Sequence, residues 1–294
     1  MTILLLGTGP RLAWVRSILE AASTAVGTAA VPEVRLVEGN PTRELLASLA
    51  ALPIEALVLV DHSCFAAGLP SDGPASGDLV RGEAQRAVFA LELARQAVRT
   101  LVLEGDDTQA WLARLAGVLS STRLAQPDHP CPPPPARIGP LATPQLSTYL
   151  ETLFAAAGRP MPLMLIWPRE VFLDGDAPGE ILPATLEVAG RARILAYGPY
   201  LPLPAGGWRA TAYLGFSPDI GKMPFILEAD TGGAITRGFF EVERSGIFTL
   251  ELDFQVADAL HPIELRLISQ DSALEGQLAL IEVELKQFSP VLPG

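Results

Sequence analysis

The chain has 294 residues and a formal net charge of −12, with 49% hydrophobic and 18% charged residues. This apolar content excludes intrinsic disorder, and no apolar run approaches the roughly 20 residues of a membrane-spanning helix. The acidic excess argues against nucleic acid or an anionic membrane surface as the main partner, because both attract basic proteins.

The first 124 residues alternate between strand-like and helix-like patterns. Short apolar runs at 3–6, 34–37, 56–60 and 100–103 predict strands. Apolar residues at helical spacing separate them, and helices are expected near Thr42, over 79–97 and over 107–119. The pair Asp106-Asp107 is expected to cap the last of these helices. The alternation predicts an α/β domain over residues 1–124, a parallel sheet with flanking helices.

The pattern changes after residue 124. Residues 125–143 are rich in proline and predict an extended linker. Residues 144–160 follow as a bridging helix, with apolar side chains at helical spacing. From residue 161 to 294 the apolar residues alternate with polar ones, which predicts short antiparallel strands and an all-β, jelly-roll-like sandwich. The outward acids of these strands, such as Glu264 and Glu284, are interpreted as a solubilising coat.

The N-terminus lacks the positively charged lead of a secretory signal peptide, so a cytoplasmic location is expected. Cys64 and Cys131 lie far apart in the sequence and form neither a disulfide framework nor a zinc-ligand pattern. Both agree with a reducing compartment.

The first strand leads into a glycine turn that resembles a nucleotide-binding turn. Gly7 and Gly9 precede a helix, and Glu38 ends the second strand, where a ribose-binding acid would lie. The pattern departs from the dinucleotide fingerprint at Leu12. One alternative function is therefore an enzyme that acts on a nucleotide- or sugar-linked substrate around Gly7, Gly9, Glu38 and Asp61.

The order of elements and the segment Ala56-Leu57-Val58-Leu59-Val60-Asp61 loosely resemble a response-regulator receiver domain. The resemblance places Asp61 at the phosphoacceptor position. The family's acidic pair after the first strand and its lysine after the last strand are missing, so metal-assisted phosphotransfer is not expected. The resemblance implies a degenerate, non-phosphorylated signalling module as a further alternative. Asp61, His62, Ser63 and Cys64 follow one another in extended chain and cannot form a catalytic relay together.

The segment from Tyr197 to Ala210 resembles the strand-turn-strand of carbohydrate-binding jelly-roll modules. The resemblance extends over residues 163–287 through strand order and turn placement. It implies a face where Trp and Tyr rings stack on sugars. Tyr213 is the best exposed candidate, because it alternates with core-facing residues, and Tyr200 and Trp208 are the others. The alternative is that these aromatics fill the core.

Such modules often hold calcium, which requires several oxygen ligands. Asp174 and Asp176 are the candidate ligands here, with Glu282 or Glu284 from the last strands. The sequence by itself establishes only a turn at this position.

The leading hypothesis is a non-catalytic binding or assembly protein. Its β-sandwich would engage a glycan or a protein partner, and its α/β domain would serve as a scaffold. Exposed sheet edges also favour a homo-oligomer. No catalytic residue is assigned.

Overall fold

The computed structural model describes residues 2–7, 10–25, 33–37, 41–61, 77–103, 107–118, 124, 130–133, 144–157 and 162–290. The chain divides into two compact units. The first comprises Met1–Ala142, Leu153–Pro160 and Pro293–Gly294, and the second comprises Thr143–Thr152 and Met161–Leu292. No helix in the described ranges is long and apolar enough to cross a membrane.

The first unit is an α/β fold with one parallel sheet, as the alternating pattern predicted. The sheet has the strand order β2-β1-β3-β4. Its elements are β1 (Thr2–Gly7), α1 (Pro10–Ala25), β2 (Glu33–Val37), α2 (Arg43–Ala50), β3 (Ile54–Val60), α3 (Gly77–Gln96), β4 (Arg99–Leu103) and α4 (Thr108–Val118).

Two helix starts follow from local capping, and both were expected from the sequence. The Thr42 hydroxyl accepts a hydrogen bond of 3.1 Å from the Leu45 amide, which caps α2. The Asp107 carboxylate accepts one of 2.9 Å from the Ala110 amide at the start of α4. Each side chain satisfies an amide that the first helical turn leaves without a partner.

The core of the first unit lies between the sheet and its helices. Trp14 of α1 and Trp111 of α4 meet edge to face, with ring centroids 6.5 Å apart. Cys131 packs against this same cluster. Part of the predicted proline-rich linker therefore belongs to the packed surface of the α/β unit.

The helix α5 (Pro144–Ala157) begins at the predicted residue, and its residues divide between the two units after Thr152. Tyr149 is almost fully buried in the second unit, and its hydroxyl donates a 3.0 Å hydrogen bond to the Pro202 carbonyl. Burial raises the pKa of this phenol well above its ordinary value.

The second unit is an antiparallel β-sandwich, as the period-two pattern predicted. One five-stranded sheet has the order β11-β10-β13-β8-β6, and the other has the path β12-β9-β14-β5, with β7 paired to β14. The strands are β5 (Met164–Pro168), β6 (Leu173–Asp174), β7 (Leu186–Glu187), β8 (Arg193–Pro202), β9 (Gly206–Phe216), β10 (Met223–Asp230), β11 (Ile235–Val242), β12 (Gly246–Val256), β13 (Pro262–Ser269) and β14 (Gln277–Pro290).

The inner faces of the two sheets pack through aromatic side chains. Phe216 of β9 lies 5.4 Å from Phe225 of β10, measured between ring centroids. Along β9 the buried residues alternate with exposed or half-buried ones from Trp208 onward. Each sheet therefore presents one face to the core and one outward face.

Candidate functional site

The carboxyl edge of the α/β sheet is the first place where the sequence predicted a ligand. The strand order reverses between β1 and β3, and ligands of open α/β sheets bind at such a reversal. Arg11 lies in the first turn of α1 and Asp61 directly follows β3. Their side chains are 3% and 4% exposed, and Arg11 Nη1 lies 3.1 Å from Asp61 Oδ1.

Arg11 also contacts a segment that is distant in the sequence. Arg11 Nε donates a 2.8 Å hydrogen bond to the carbonyl of Pro132, and its guanidinium lies 5.1 Å from the ring centroid of Trp111. Asp61 has a left-handed backbone with φ of 47°. Its carboxylate is thus engaged in a buried ion pair.

Gly7 has a structural reason to be glycine. A Cβ at this position would lie 2.8 Å from the Val60 carbonyl oxygen, so β1 and β3 approach too closely for a side chain. Close strand packing therefore explains Gly7 without a bound phosphate. Gly9, Glu38 and the segment His62-Ser63-Cys64 lie outside the described residues.

Trp208 was predicted as a ligand contact but belongs to the core of the sandwich. It is fully buried, and its indole N–H donates a 2.8 Å hydrogen bond to the Pro204 carbonyl. A sugar cannot stack on a ring with no exposed face. The period-two pattern of β9 indicates that Trp208 is buried, because Trp208 is in phase with the inward residues Ala210 and Ala212.

Tyr213 lies on the outward face of β9, in the opposite phase to Trp208. Its hydroxyl is 3.3 Å from Glu284 Oε2, and in the sheet register it faces Glu282 and Thr249. Burial, followed by the negative charge of Glu284, raises the pKa of its phenol.

Tyr200 lies on the other sheet, in β8, and forms a pair with Tyr197. Their ring centroids are 6.2 Å apart and their planes cross at 73°. The Tyr200 hydroxyl donates a 2.7 Å hydrogen bond to Glu264 Oε1, while the Tyr197 hydroxyl accepts one of 3.2 Å from the Gly179 amide. Burial, followed by the hydrogen bond to Glu264, raises the pKa of Tyr200.

A network of charged side chains continues from this pair across the outward face of the five-stranded sheet. Arg237, Glu228 and Arg266 are direct neighbours in the register of β11, β10 and β13. Glu228 accepts hydrogen bonds from Arg237 at 2.6 Å and from Arg266 at 2.7 Å. Arg266 also donates to Glu264 and, at 3.3 Å, to Asp230.

Glu228 is the buried centre of this network, with its side chain 4% exposed. Burial by itself would raise the pKa of Glu228, but the hydrogen bonds from Arg237 and Arg266 outweigh it and leave that pKa below its ordinary value. The carboxylate is therefore ionised at neutral pH and holds both guanidinium groups in place. Glu264, expected as part of a solvated coat, is likewise held by Arg266 and Tyr200.

Sequence reasoning did not find Glu228, Asp230, Arg237 or Arg266 as site candidates. Their signal is the placement of charges on the outward phase of β10, β11 and β13. Outward charge is ordinary for a half-buried strand. Only the strand register shows that these groups meet.

The expected calcium ligands are part of a turn and an ion pair. Asp174 Oδ1 accepts a 2.8 Å hydrogen bond from the Asp176 amide. Both carboxylate oxygens of Asp176 accept from Arg193, at 2.7 and 2.9 Å. Glu282 and Glu284 lie in β14, which belongs to the opposite sheet. A guanidinium thus neutralises Asp176, and no group of three metal-ligating residues forms in the described part of the chain.

Comparisons with known proteins give no family assignment. No protein-family profile matches the sequence, and no curated protein matches it significantly. Similar solved structures include a family two carbohydrate esterase from Cellvibrio japonicus, with 13% identity, a TM-score of 0.28, and coverage of 45% of this chain and 36% of that one. The chain thus spans about a third of that esterase.

Two smaller structures are matched over most of their own length. The CBM36-1 domain of a multidomain xylanase from the hindgut metagenome of Trinervitermes trinervoides has 12% identity and a TM-score of 0.29, over 42% of this chain and 96% of that one. An adhesin domain of Lys-gingipain from Porphyromonas gingivalis W83 has 14% identity and a TM-score of 0.32, over 43% of this chain and 99% of that one. Similarity at this level does not assign a ligand.

Proposed function

We propose that the β-sandwich is a non-catalytic glycan-binding module and that the α/β unit is its scaffold. The proposed ligand surface is the tyrosine patch, defined as Tyr197 and Tyr200 with the adjoining Glu264 and Arg266 on the outward face of the five-stranded sheet. The observation that carries the proposal is the fixed Tyr197–Tyr200 pair beside a preformed network of carboxylates and guanidinium groups.

The chemistry of the patch suits a sugar. Pyranose rings present apolar C–H faces, and tyrosine rings offer large contact area at low entropic cost. Sugar hydroxyls both donate and accept, so they pair with Glu264 and with the guanidinium N–H groups of Arg266 at the same time. Since hydrogen bonds already hold Tyr200 and Glu264, little side-chain order has to be created on binding.

The charge of the face favours a neutral or amine-bearing glycan. Three carboxylates, Glu228, Asp230 and Glu264, surround two guanidinium groups, Arg237 and Arg266. Both guanidinium groups are already paired with carboxylates. A sulfated or uronic-acid chain would therefore have to compete with these internal ion pairs.

The alternative of an enzyme centred on the α/β unit has less support. Asp61 is paired with Arg11, and the Pro132 carbonyl takes another of the guanidinium donors. Gly7 is accounted for by strand packing. These contacts favour a structural use of the sheet edge.

The test is direct binding to oligosaccharides. An array of neutral, amino and acidic oligosaccharides identifies a ligand, and titration calorimetry then measures its affinity. Tyr200→Ala is expected to weaken binding at least tenfold, because the stacking ring is lost. Tyr200→Phe keeps the ring and is expected to retain most of the affinity.

Tyr213→Ala is the matched control, because it removes an outward tyrosine from the opposite sheet. It is expected to leave affinity unchanged. Undiminished binding by Tyr200→Ala together with loss in Tyr213→Ala would move the site to the other face. A purified protein that binds no member of the array would contradict the proposal.

A further inference from the structure

The edge strand β11 carries exposed apolar and charged side chains on its outward face. It pairs with β10 on one side, and no described strand pairs with its other side. Ile235 and Phe239 are 53% and 66% exposed. An edge with free backbone groups, exposed apolar side chains and no proline is a template for another strand.

The outward side chains of β11 are arranged symmetrically about Phe239. Arg237 precedes it by two positions and Glu241 follows it by two, so both point to the same side of the sheet. If two copies pair antiparallel with Phe239 opposite Phe239, each Arg237 faces Glu241 of the other copy. A pairing centred on Arg237 or on Glu241 would oppose like charges instead.

We propose that two copies of this chain associate edge to edge through β11, antiparallel and with Phe239 on the twofold axis. The contact is isologous and closes after two copies. It adds backbone hydrogen bonds along the strand, one aromatic pair and two ion pairs. Opposite-charge pairs across strands contribute little binding energy by themselves, so they act mainly by selecting this register.

The remaining edges are less suited to self-pairing. The outward side of β12 carries Glu251 and Asp253 and no basic residue, so it offers no opposite charge to a second copy. β5 is only five residues long and ends at Pro168, which has no amide hydrogen. β6 has two residues.

The charged side chains of β11 are paired within the chain but remain partly exposed, so each can also contact a second copy. Arg237 contacts Glu228 at 2.6 Å, yet its side chain is 53% exposed. Glu241 contacts Lys222 at 3.2 Å, and its side chain is 44% exposed. Ion pairs between copies would therefore extend existing networks.

The pairing has a geometric consequence that rests on the proposed glycan site. A twofold axis perpendicular to the sheet joins the two five-stranded sheets into one of ten strands with both outward faces on the same side. The two β8 strands are then seven strand spacings apart, or about 34 Å. The dimer would present two tyrosine patches toward one surface.

The test uses opposite charges at the twofold axis. Sedimentation equilibrium of the full chain is expected to show a dimer. Phe239→Glu and Phe239→Arg are each expected to be monomeric, because identical charges meet at the axis. An equimolar mixture of the two variants is expected to form a heterodimer. Dimerisation is restored in this way only if residue 239 of one copy faces residue 239 of the other.

Ile247→Glu is the control, because Ile247 is 72% exposed on the edge strand β12. It is expected to remain dimeric. A monomeric wild-type protein, a dimeric Phe239→Glu, or a variant mixture that stays monomeric would overturn the inference. Tyr200→Ala is expected to dimerise normally, so failure of the dimer and failure of the glycan site are distinguishable.

Discussion

At the scale of single residues, glycines of the α/β unit have opposite structural roles. Gly7 lies where a Cβ would meet the Val60 carbonyl at 2.8 Å, whereas Gly82, inside α3, has open space within 4 Å. At Gly7 a side chain is excluded for steric reasons. Gly82 only weakens its helix, because glycine loses more backbone freedom on folding than alanine.

Alanine at these two positions should therefore change stability in opposite directions. Gly7→Ala is expected to destabilise the protein by about 1–3 kcal/mol through overpacking. Gly82→Ala is expected to stabilise it by about 0.5–1 kcal/mol. Urea unfolding followed by helical circular dichroism measures both. A Gly7→Ala variant as stable as the wild type would contradict the packing explanation.

Glu228 makes stability depend on pH. Because its folded-state pKa lies below the ordinary 4.5, its stabilising effect is complete above pH 4.5 and disappears as pH falls through the folded-state pKa. Glu228→Gln is expected to cost about 1.5–3 kcal/mol at neutral pH and almost nothing in acid.

The free energy of unfolding, measured at a series of pH values, is compared between wild type and Glu228→Gln. Glu251→Gln is the control, since its ion pair with Arg209 is half-exposed and screened by solvent, so its loss is expected to change stability little. A constant difference between wild type and Glu228→Gln across the whole pH range would show that the carboxylate's charge is not the cause.

At the scale of elements, helix α4 depends on its cap. Asp107→Ala removes the acceptor for the Ala110 amide and is expected to cost about 1 kcal/mol. Asp107→Asn retains a capping oxygen and is expected to restore most of that stability. Thermal unfolding monitored by helical circular dichroism compares the three proteins, and equal stability of Ala and Asn variants would argue against capping.

Features governed by neighbours in the sequence were the ones that could be predicted. Thr42 and Asp107 act within one helical turn, and the alternation along β9 separates Trp208 from Tyr213 within a few residues. The contact of Tyr200 with Glu264 joins residues 64 positions apart. A register shift between Ile263 and Glu264 also changes which residues of β8 they face, and no sequence pattern signals it.

The α/β site shows the same limit. Arg11 meets Asp61 because β1 and β3 are adjacent, and it meets Pro132 across 121 positions of chain. The glycine turn suggested a phosphate at this edge. The tertiary contacts supply an ion pair and a backbone carbonyl instead.

At the scale of the whole molecule, the β11 dimer and the tyrosine patch together predict bivalent binding. Phe239→Glu is expected to leave affinity for a soluble oligosaccharide unchanged, because residue 239 lies in β11, three strands away from β8. Its affinity for a densely glycan-coated surface should fall by about 100-fold or more, because the second binding event is lost. Surface plasmon resonance at low and high ligand density measures the contrast. Equal loss at both densities would contradict bivalency.

The contact between Arg11 and the Pro132 carbonyl bears on how the protein can be divided for separate study. A fragment that ends at residue 124, where composition suggests the α/β domain stops, would lack that carbonyl and the packing of Cys131. The buried guanidinium would lose a hydrogen-bond acceptor, and part of an apolar cluster would be uncovered to water. The shortest soluble N-terminal fragment should therefore retain the chain through at least Pro133.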